Sequence, residues 1–524
     1  MSRRAGEIGA GLDPVRAAVP LRRGERIHVV GAGGAAAAAA ALHAHRAGAS
    51  VTGCDTGGPS QYTRPLERAG IPLAWEHDPS HVVAGAAVLA DRLAVTKALT
   101  AVAPDHPELV AARSRGIPAT SVQQLIADAA ATHGQALIGL AGTHGKSTTT
   151  GWAVQMLVES GLDPSAFVGA LLPAKLVSGS DPSTVRVGRG RYFVVEADEY
   201  AGNFDAYRPA IAGLTNADWD HPDVFPDRAA VVSAFVAWVH GFDGGGDVPV
   251  LVANAGDAGV REVLVGLQGW PGRLVVVLVI EGAEDPDVVR SRLAHVHATA
   301  AGPARAIVAR WRHAAGEGSL EVHGLDPGVA VTARVALAGR HNAENGLVAA
   351  GVALAAGAAP AAIVRGLASY MGVGRRLDLK GDVGGIIVLD DYGHHPTAMA
   401  ATFATVREQY PGRRLWAVYE PLTYHRTAAM LGEFAAVLAT ADRAVIAQIH
   451  AGRDPDTTIT SARQLAEAVA ERGTPAWAPG TVEETSDWLS TMVETGDVVL
   501  VMGGGRSYVI ADRLVAFLAA RARE

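Results

Sequence analysis

The stretch "ALIGLAGTHGKSTTT" (136–150) sets an apolar run against a glycine-rich turn that ends in one lysine and a row of hydroxyls. An apolar segment that stops at glycines and resumes as a helix near Lys146 reads as a strand–turn–helix unit. Such a unit aims backbone N–H groups and a helix N-terminus at one point, which favours phosphate. The residues predicted to form it are Gly142, Thr143, His144, Gly145, Lys146, Ser147 and Thr148. Lys146 would neutralise β- and γ-phosphates, and the Ser147 hydroxyl would ligate Mg²⁺. The strict P-loop spelling is not met, because Leu140 stands where its first glycine belongs, so the loop reads as a shorter G-T-x-G-K-S. Of 45 basic residues only Lys97, Lys146, Lys175 and Lys380 are lysine, and Lys146 reads as an exposed loop residue with little packing role.

Working outward, strand-like apolar runs alternate with alanine-rich helical stretches, the pattern of parallel sheets covered by helices. A chain of 524 residues exceeds one hydrophobic core. The expected fold is α/β in three domains: a Rossmann-like domain over 1–135, a P-loop-type central domain over 136–370 and a second Rossmann-like domain over 371–524. The first opens with "RIHVV" (26–30), turns at "GAGG" (31–34) and returns through "SVTGCD" to Asp55. The second carries "YFVVEAD", "AIAGLTN" and "VPVLVAN"; the third carries "GGIIVLDDYG", "RLWAVYE", "RAVIAQIH" and "DVVLVMGGG". Residues 281–330 are poorly patterned, and boundaries there are the least defined.

A net charge of −8 offers no basic stripe for nucleic acid and no polybasic anchor for a membrane, so small-molecule partners are expected. The single cysteine, Cys54, excludes an internal disulfide framework and a multi-cysteine metal site, and reads as core packing in a reducing compartment. The amino-terminal stretch lacks an apolar signal region, and the alanine run at 35–41 is too short to span a bilayer, which predicts a cytoplasmic protein.

A nucleotide loop needs oxygen-rich ligands for its metal. Glu196 closes an apolar strand, where open α/β sheets bind their ligands, and Asn216, Asp220 and His221 follow the next one. Spacing leaves open whether His221 is a metal ligand or a loop residue.

Taken together these segments resemble the Mur ligases, ATP-dependent amide-forming enzymes of peptidoglycan synthesis. The likeness rests on "HVVGAGG", "GTHGKSTTT", "EADE" followed by "TNADWDH", "GRHNAENGLVAA" (339–350), "GVGRRLD" (372–378) and "DDYGHHPT" (390–397). The spacing of Glu196 and His221, and the lack of any lysine between Lys175 and Lys380, match the alanine-adding branch, since other branches carry a carbamylated lysine there. The resemblance implies ATP and Mg²⁺ as cofactors, with Ser147, Glu196 and His221 on the metal. It implies Asn342 and Asn345 at adenine, Arg376 and Asp391 at the nucleotide, and Gly31, Gly33, Gly34 and Asp55 at a uridine nucleotide. Arg375, Tyr392, His394 and Arg426 would line the acyl and amine site, with Lys146, Glu196, His221, His394 and Arg426 catalytic, and His395 is equally readable as structural.

The implied reaction joins an amino acid, L-alanine first, to the carboxylate of UDP-N-acetylmuramate through an acyl phosphate, by a monomer or homodimer. The near alternative is a recycling ligase that attaches a preformed murein tripeptide, to which Tyr200 in "EADEY" points. A nicotinamide-dependent Rossmann oxidoreductase could be read from "GAGG" and Asp55 but leaves Lys146 and Glu196 unexplained. Two departures stand out. Alanine replaces a glycine of the first helix entry in "GAGGAAAAA", and Leu422 and Thr423 stand where the alanine-adding branch presents histidine and arginine, which leaves Arg426 for the carboxylate of the amine donor.

Overall fold

The computed structural model describes residues 8–177, 181–243, 246–314, 317–326, 328–452, 454 and 456–523; the start of the charged amino-terminal stretch lies outside them. Three large sheets carry the architecture. The first is parallel and five-stranded, in the order Leu73–Ala74, Ser50–Cys54, Arg26–Val30, Arg92–Val95, Ala119–Ser121. Its strands are short, and the crossings pass through helices except that from Leu73–Ala74 to Arg92–Val95, which runs through the turn Pro79–His81 and the small hairpin of Val83–Ala84 and Ala87–Val88.

The second sheet has ten strands, with Ala136–Ala141 between Tyr192–Ala197 and Ile211–Leu214, all parallel. Register sets what happens at their ends: Leu140 lies opposite Glu196, and Ala141 opposite both Ala197 and Leu214. Gly142, Asp198 and Thr215 therefore leave the sheet at one level. Val250–Asn254, Arg273–Ile280 and Arg305–Ala314 extend it in parallel. Glu317–Asp326 and Val329–Val335 then finish that edge antiparallel.

The poorly patterned stretch is thus the helix Pro286–Val296 followed by edge strands. In "RAIVARWRH" Ala306 to Ala309 are a continuous buried run and only its end, Arg310 to His313, mixes Trp311 with arginines and a histidine.

These two sheets share one compact unit. The alanine-rich helix Ala35–Arg46 explains why: Ala37 to Ala44 are all buried, and the helix packs on strands of both sheets. Small side chains permit that close approach. His43 Nε2 donates to the Ala166 carbonyl at 3.1 Å, with its ring 4.6 Å from that of Phe193.

The second unit runs from Gly374 onward and takes in Asp220–Asp223 and Gly339–His341. Its six-stranded sheet is ordered Asp378–Val383, Ile386–Asp391, Asp497–Gly503, Arg414–Glu420, Arg443–Ala447, Ala476–Gly480, with only the first antiparallel. Among the described residues no helix is long and apolar enough to cross a membrane.

Glu420 ends a strand that is buried from Leu415 onward and is itself 3% exposed. Burial pushes its carboxyl up to about 7, against the pull of the Ser507 backbone N–H and the Arg375 charge. The folded chain therefore holds a proton that the unfolded chain releases near 4.5. That contribution to stability is fully present below 4.5 and lost as pH rises through about 7. Calorimetry of wild type and Glu420→Gln should show the wild type losing melting temperature relative to the variant between about pH 5 and 8; parallel curves would contradict a buried, protonated Glu420.

Candidate active site

Gly142 and Gly145 make the loop possible. Gly142 has φ +141° and Gly145 has φ +75°, and a Cβ at either would collide, with the Thr215 hydroxyl and the Asn345 amide respectively. Both positions need glycine. The segment after the third central strand braces the loop: the His144 N–H donates to Asn216 Oδ1 (2.7 Å), and Asn216 Nδ2 returns a bond to the His144 carbonyl (3.0 Å). Thr143 Oγ1 donates to the Asp218 carbonyl at 3.0 Å, and Thr215 Oγ1 to that of His144 at 2.8 Å. The helix Lys146–Glu159 starts on the left-handed Gly145, which offers no side-chain cap. Its first-turn N–H groups and dipole are left for an anion, with Thr148 buried behind them.

Lys146 is not the exposed loop lysine that the sequence suggested. Its side chain is 13% exposed, with Nζ 2.8 Å from Glu199 Oε2, 3.6 Å from Asp198 Oδ1 and 3.3 Å from the Thr143 carbonyl. Burial alone would lower its pKa; the carboxylates of Glu199 and Asp198 outweigh that and hold it above the ordinary lysine value. Beside it the Ser147 hydroxyl donates to Glu196 Oε1 at 3.1 Å, while Glu196 Oε2 accepts from the Gly169 N–H at 2.7 Å. A hydroxyl and a carboxylate oxygen side by side are the hard donors that Mg²⁺ prefers.

Asn345 sits against Gly145, as the steric clash shows, whereas Asn342 Nδ2 donates to the Ala338 carbonyl at 2.7 Å across the start of its own helix. In the first sheet Gly31 has φ +78°, and the N–H groups of Gly31 and Ala32 both donate to the Cys54 carbonyl at 2.9 Å. Asp55 accepts from Gly33 N–H at 2.9 Å and from Gly57 N–H at 2.7 Å, so its carboxylate braces the turn. Gly34 precedes the alanine-rich helix without a side-chain cap.

The carboxy-terminal residues form two groups within their own unit. In the first, Asp391 accepts from the N–H groups of Leu377 (2.9 Å) and Gly393 (2.7 Å), and burial, opposed by Arg376, raises its pKa. The guanidinium groups of Arg375 and Arg376 lie 5.3 and 5.1 Å from the centre of the Tyr392 ring. Arg375 is engaged through Nε and Nη2: it donates to Asp390 (3.1 Å), Ser507 Oγ (2.7 Å) and the Gly503 carbonyl (2.8 Å). Arg376 Nε has no hydrogen-bond partner among the described residues. His394 Nδ1 lies 3.0 Å from the Tyr392 carbonyl, and His395 accepts from Thr397 N–H as the cap of the helix Pro396–Gln409.

In the second group Arg426 is 3% exposed and grips Asp220 with both arms of its fork, Nε to Oδ1 at 2.7 Å and Nη2 to Oδ2 at 3.0 Å. Nη2 also lies 3.3 Å from His221 Nδ1, and His221 N–H donates to Asp220 at 2.6 Å. Burial alone would raise the Asp220 pKa; Arg426 and the neighbouring histidines hold it well below the usual range. His425 is engaged elsewhere, with Asp454 at 3.1 Å.

Glu199 and Thr215 were missed in the sequence. A largely buried lysine demands an anionic partner, and Glu199, three places after Glu196 in "EADE", was the available signal. Lys97 gave no signal, yet its ammonium donates to the carbonyls of Ala201 (2.9 Å) and Gly202 (2.8 Å) and so ties the first domain to the loop after Glu199.

Three family models match in order: "Mur ligase family, catalytic domain" over residues 26–133, "Mur ligase middle domain" over 140–353 and "Mur ligase, glutamate ligase domain" over 375–505. The chain is 33% identical to a UDP-N-acetylmuramate–L-alanine ligase from Frankia casuarinae, covering 95% of this chain and 98% of the relative. It is also 33% identical to the same-named protein of Kineococcus radiotolerans, over 98% and 100%. Among solved structures it superposes on UDP-N-acetylmuramate-alanine ligase MurC from Thermotoga maritima with TM-score 0.71 at 20% identity, covering 95% of this chain and 99% of that one. A murein peptide ligase from Psychrobacter arcticus gives 0.67 at 24%, over 94% and 99%. The fold is therefore the three-domain arrangement of these enzymes, and the chain belongs to the Mur ligase family.

Proposed function

We propose that this chain is an ATP-dependent, ADP-forming ligase that joins L-alanine to the carboxylate of UDP-N-acetylmuramate in peptidoglycan synthesis. The observation that carries the reading is the loop itself, where uncapped helix N–H groups, a charged Lys146 and the Ser147–Glu196 oxygen pair meet at the ends of parallel strands. Relatives named for this activity over nearly the whole chain support the substrate assignment.

A carboxylate is a poor acyl donor because its leaving group would be oxide. Transfer of the γ-phosphoryl group of ATP makes an acyl phosphate and releases ADP; the amine then attacks the acyl carbon, phosphate leaves, and an amide remains. Lys146 stabilises the charge that moves from the γ-phosphate towards ADP. The first-turn N–H groups of its helix hold the phosphates, and Asn345, packed on the loop, is assigned with Asn342 to the adenine side.

Ser147 and Glu196 fit Mg²⁺ by donor type, and His221 is assigned as a third ligand. When bound, the ion neutralises phosphate oxygens. The turn of Gly31, Gly33 and Gly34, braced by Asp55, takes the uridine diphosphate. Arg376 and Asp391 are assigned to the nucleotide, and Arg375, Tyr392 and His394 to the acyl and amine side. With Asp220 occupying its fork, Arg426 holds His221 in place, and it is assigned to the amino-acid carboxylate. The protein acts in the cytoplasm, as a monomer or homodimer.

Purified protein with ATP, Mg²⁺ and UDP-N-acetylmuramate should release phosphate when L-alanine is added, with product mass confirming one amide. Turnover only with a murein tripeptide would favour the recycling activity. Lys146→Ala should lower turnover by at least about a hundredfold. Because it removes the buried cation 2.8 Å from Glu199, it should also lower stability by about 3–5 kcal/mol, read by urea unfolding; a silent effect on stability would contradict the buried pair.

Glu196→Gln should raise the Mg²⁺ needed for half-maximal rate roughly tenfold or more with little change in melting temperature. An unchanged Mg²⁺ titration removes Glu196 from the metal. Arg426→Lys keeps a cation beside Asp220 but loses the fork. It should raise the KM for L-alanine roughly ten- to a hundredfold, the equivalent of about 1.5–3 kcal/mol, and the KM for ATP far less. Equal effects would leave Arg426 a positioning role only.

A further inference from the structure

The first domain contains a second cluster of chemistry-bearing side chains, which neither the loop nor the turn uses. His28, Cys54, His81 and Glu108 come from four separate segments, and their nearest donor atoms all lie within 4.8 Å of one another. Cys54 Sγ is 3.3 Å from His28 Nε2 and 3.1 Å from Glu108 Oε1, and His81 Nδ1 is 3.2 Å from the same carboxylate oxygen. Cys54 and Glu108 are fully buried and His28 is 2% exposed, inside a core of Val30, Val82, Leu93 and Leu109.

His77 and His106 flank the group, with His106 Nδ1 2.7 Å from Glu108 Oε2. His106 is 4% exposed, and its Nε2 has no hydrogen-bond partner among the described residues. Packing four imidazoles, a thiol and a carboxylate into an apolar core is unfavourable unless something binds them together.

We propose that His28, Cys54, His81 and Glu108 form a structural transition-metal site, with Zn²⁺ as the fitting ion.

The donor set is the first argument. Imidazole and thiolate select Zn²⁺ over Mg²⁺ or Ca²⁺, and two nitrogens, one sulfur and one oxygen complete a closed tetrahedral shell. Distance is the second. Zinc bonds of about 2.0–2.3 Å put neighbouring ligand atoms about 3.4–3.6 Å apart; the Cys54–His28, Cys54–Glu108 and His81–Glu108 contacts of 3.3, 3.1 and 3.2 Å fall a few tenths of an ångström short of that, and the remaining pairs lie within 4.8 Å. Orientation is the third. His28 Nδ1 lies 2.8 Å from Thr52 Oγ1, the outer bond that metal-bound histidines use to present the other nitrogen.

Charge is the fourth. Binding releases the Cys54 thiol proton to solvent, after which the thiolate and Glu108 balance the two positive charges of the ion. The site also has a defined mechanical consequence. The Cys54 carbonyl accepts from both Gly31 and Ala32, so an ion on Sγ would stiffen the glycine turn from behind.

The single cysteine makes the test specific. The full chain, purified without a histidine tag, should carry stoichiometric zinc by elemental mass spectrometry. After chelator treatment, Co²⁺ should produce the visible bands of a tetrahedral ion together with a thiolate charge-transfer band, while Mg²⁺ produces neither. Added Zn²⁺ should raise the melting temperature of the stripped chain.

Cys54→Ala should abolish the charge-transfer band. His81→Asn, at a partly exposed position that tolerates change, should weaken zinc retention at least about tenfold. Absence of the charge-transfer band in the wild type at saturating Co²⁺, or full zinc retention in both variants, would overturn the site. Because these readouts do not depend on turnover, they stand apart from the ligase assay.

Discussion

Lys146 can sit at the head of a helix, 13% exposed, because Glu199 lies 2.8 Å from its ammonium. An unpaired lysine there would lose its proton or its place, and the pair is strongly favoured over either partner alone. Much of the surrounding geometry serves this contact. Gly142 and Gly145 let the backbone pass close enough, Thr215 and Asn216 pin the loop from the neighbouring strand end, and Lys97 fixes the turn that follows Glu199. On the proposed reading, a phosphate reaching the loop meets a lysine already charged and oriented, so little reorganisation remains for the moment of transfer.

Parallel register is what brings these pieces to one level. With Ala141 opposite both Ala197 and Leu214, the residues that follow each strand must emerge together. A one-residue slip would turn Glu196 to the other face and away from Ser147. The carboxylate thus depends on the apolar faces of "LIGLA" and "FVVEA" packing correctly on their helices, so fold stability and site geometry are the same constraint at this point.

The fold was largely legible from the alternation of apolar runs and alanine-rich stretches, and the loop from its glycines and lysine, because both signals are local. What escaped was non-local. The burial of Lys146 depends on Glu199, 53 positions away. Residues 281–330 hid a helix and edge strands whose half-polar pattern resembles a loop. Cys54 read as core packing because its partners His28, His81 and Glu108 are spread over three other segments, and only the folded sheet gathers them. The pairing of Arg426 with Asp220 spans 206 positions.

Arg426 also clarifies the departure at Leu422 and Thr423. Thr423 adopts φ +64°, a conformation that a β-branched residue avoids at a cost of about 1–3 kcal/mol. Its surroundings enforce it: Thr423 N–H donates to the His450 carbonyl at 2.9 Å, and Thr427 Oγ1 donates to the Thr423 carbonyl at 2.7 Å. In that conformation the Thr423 side chain caps the short helix Tyr424–Ala429 by accepting from Arg426 N–H. The strain is therefore spent on aiming one arginine. Where the sequence suggested a lost charged contact, the structure has a cap that fixes the remaining arginine on Asp220, and through Asp220 fixes His221, itself at φ +56°. On the proposed assignment, specificity for the amine depends on how rigidly Arg426 is held as much as on how many charges surround the amino acid.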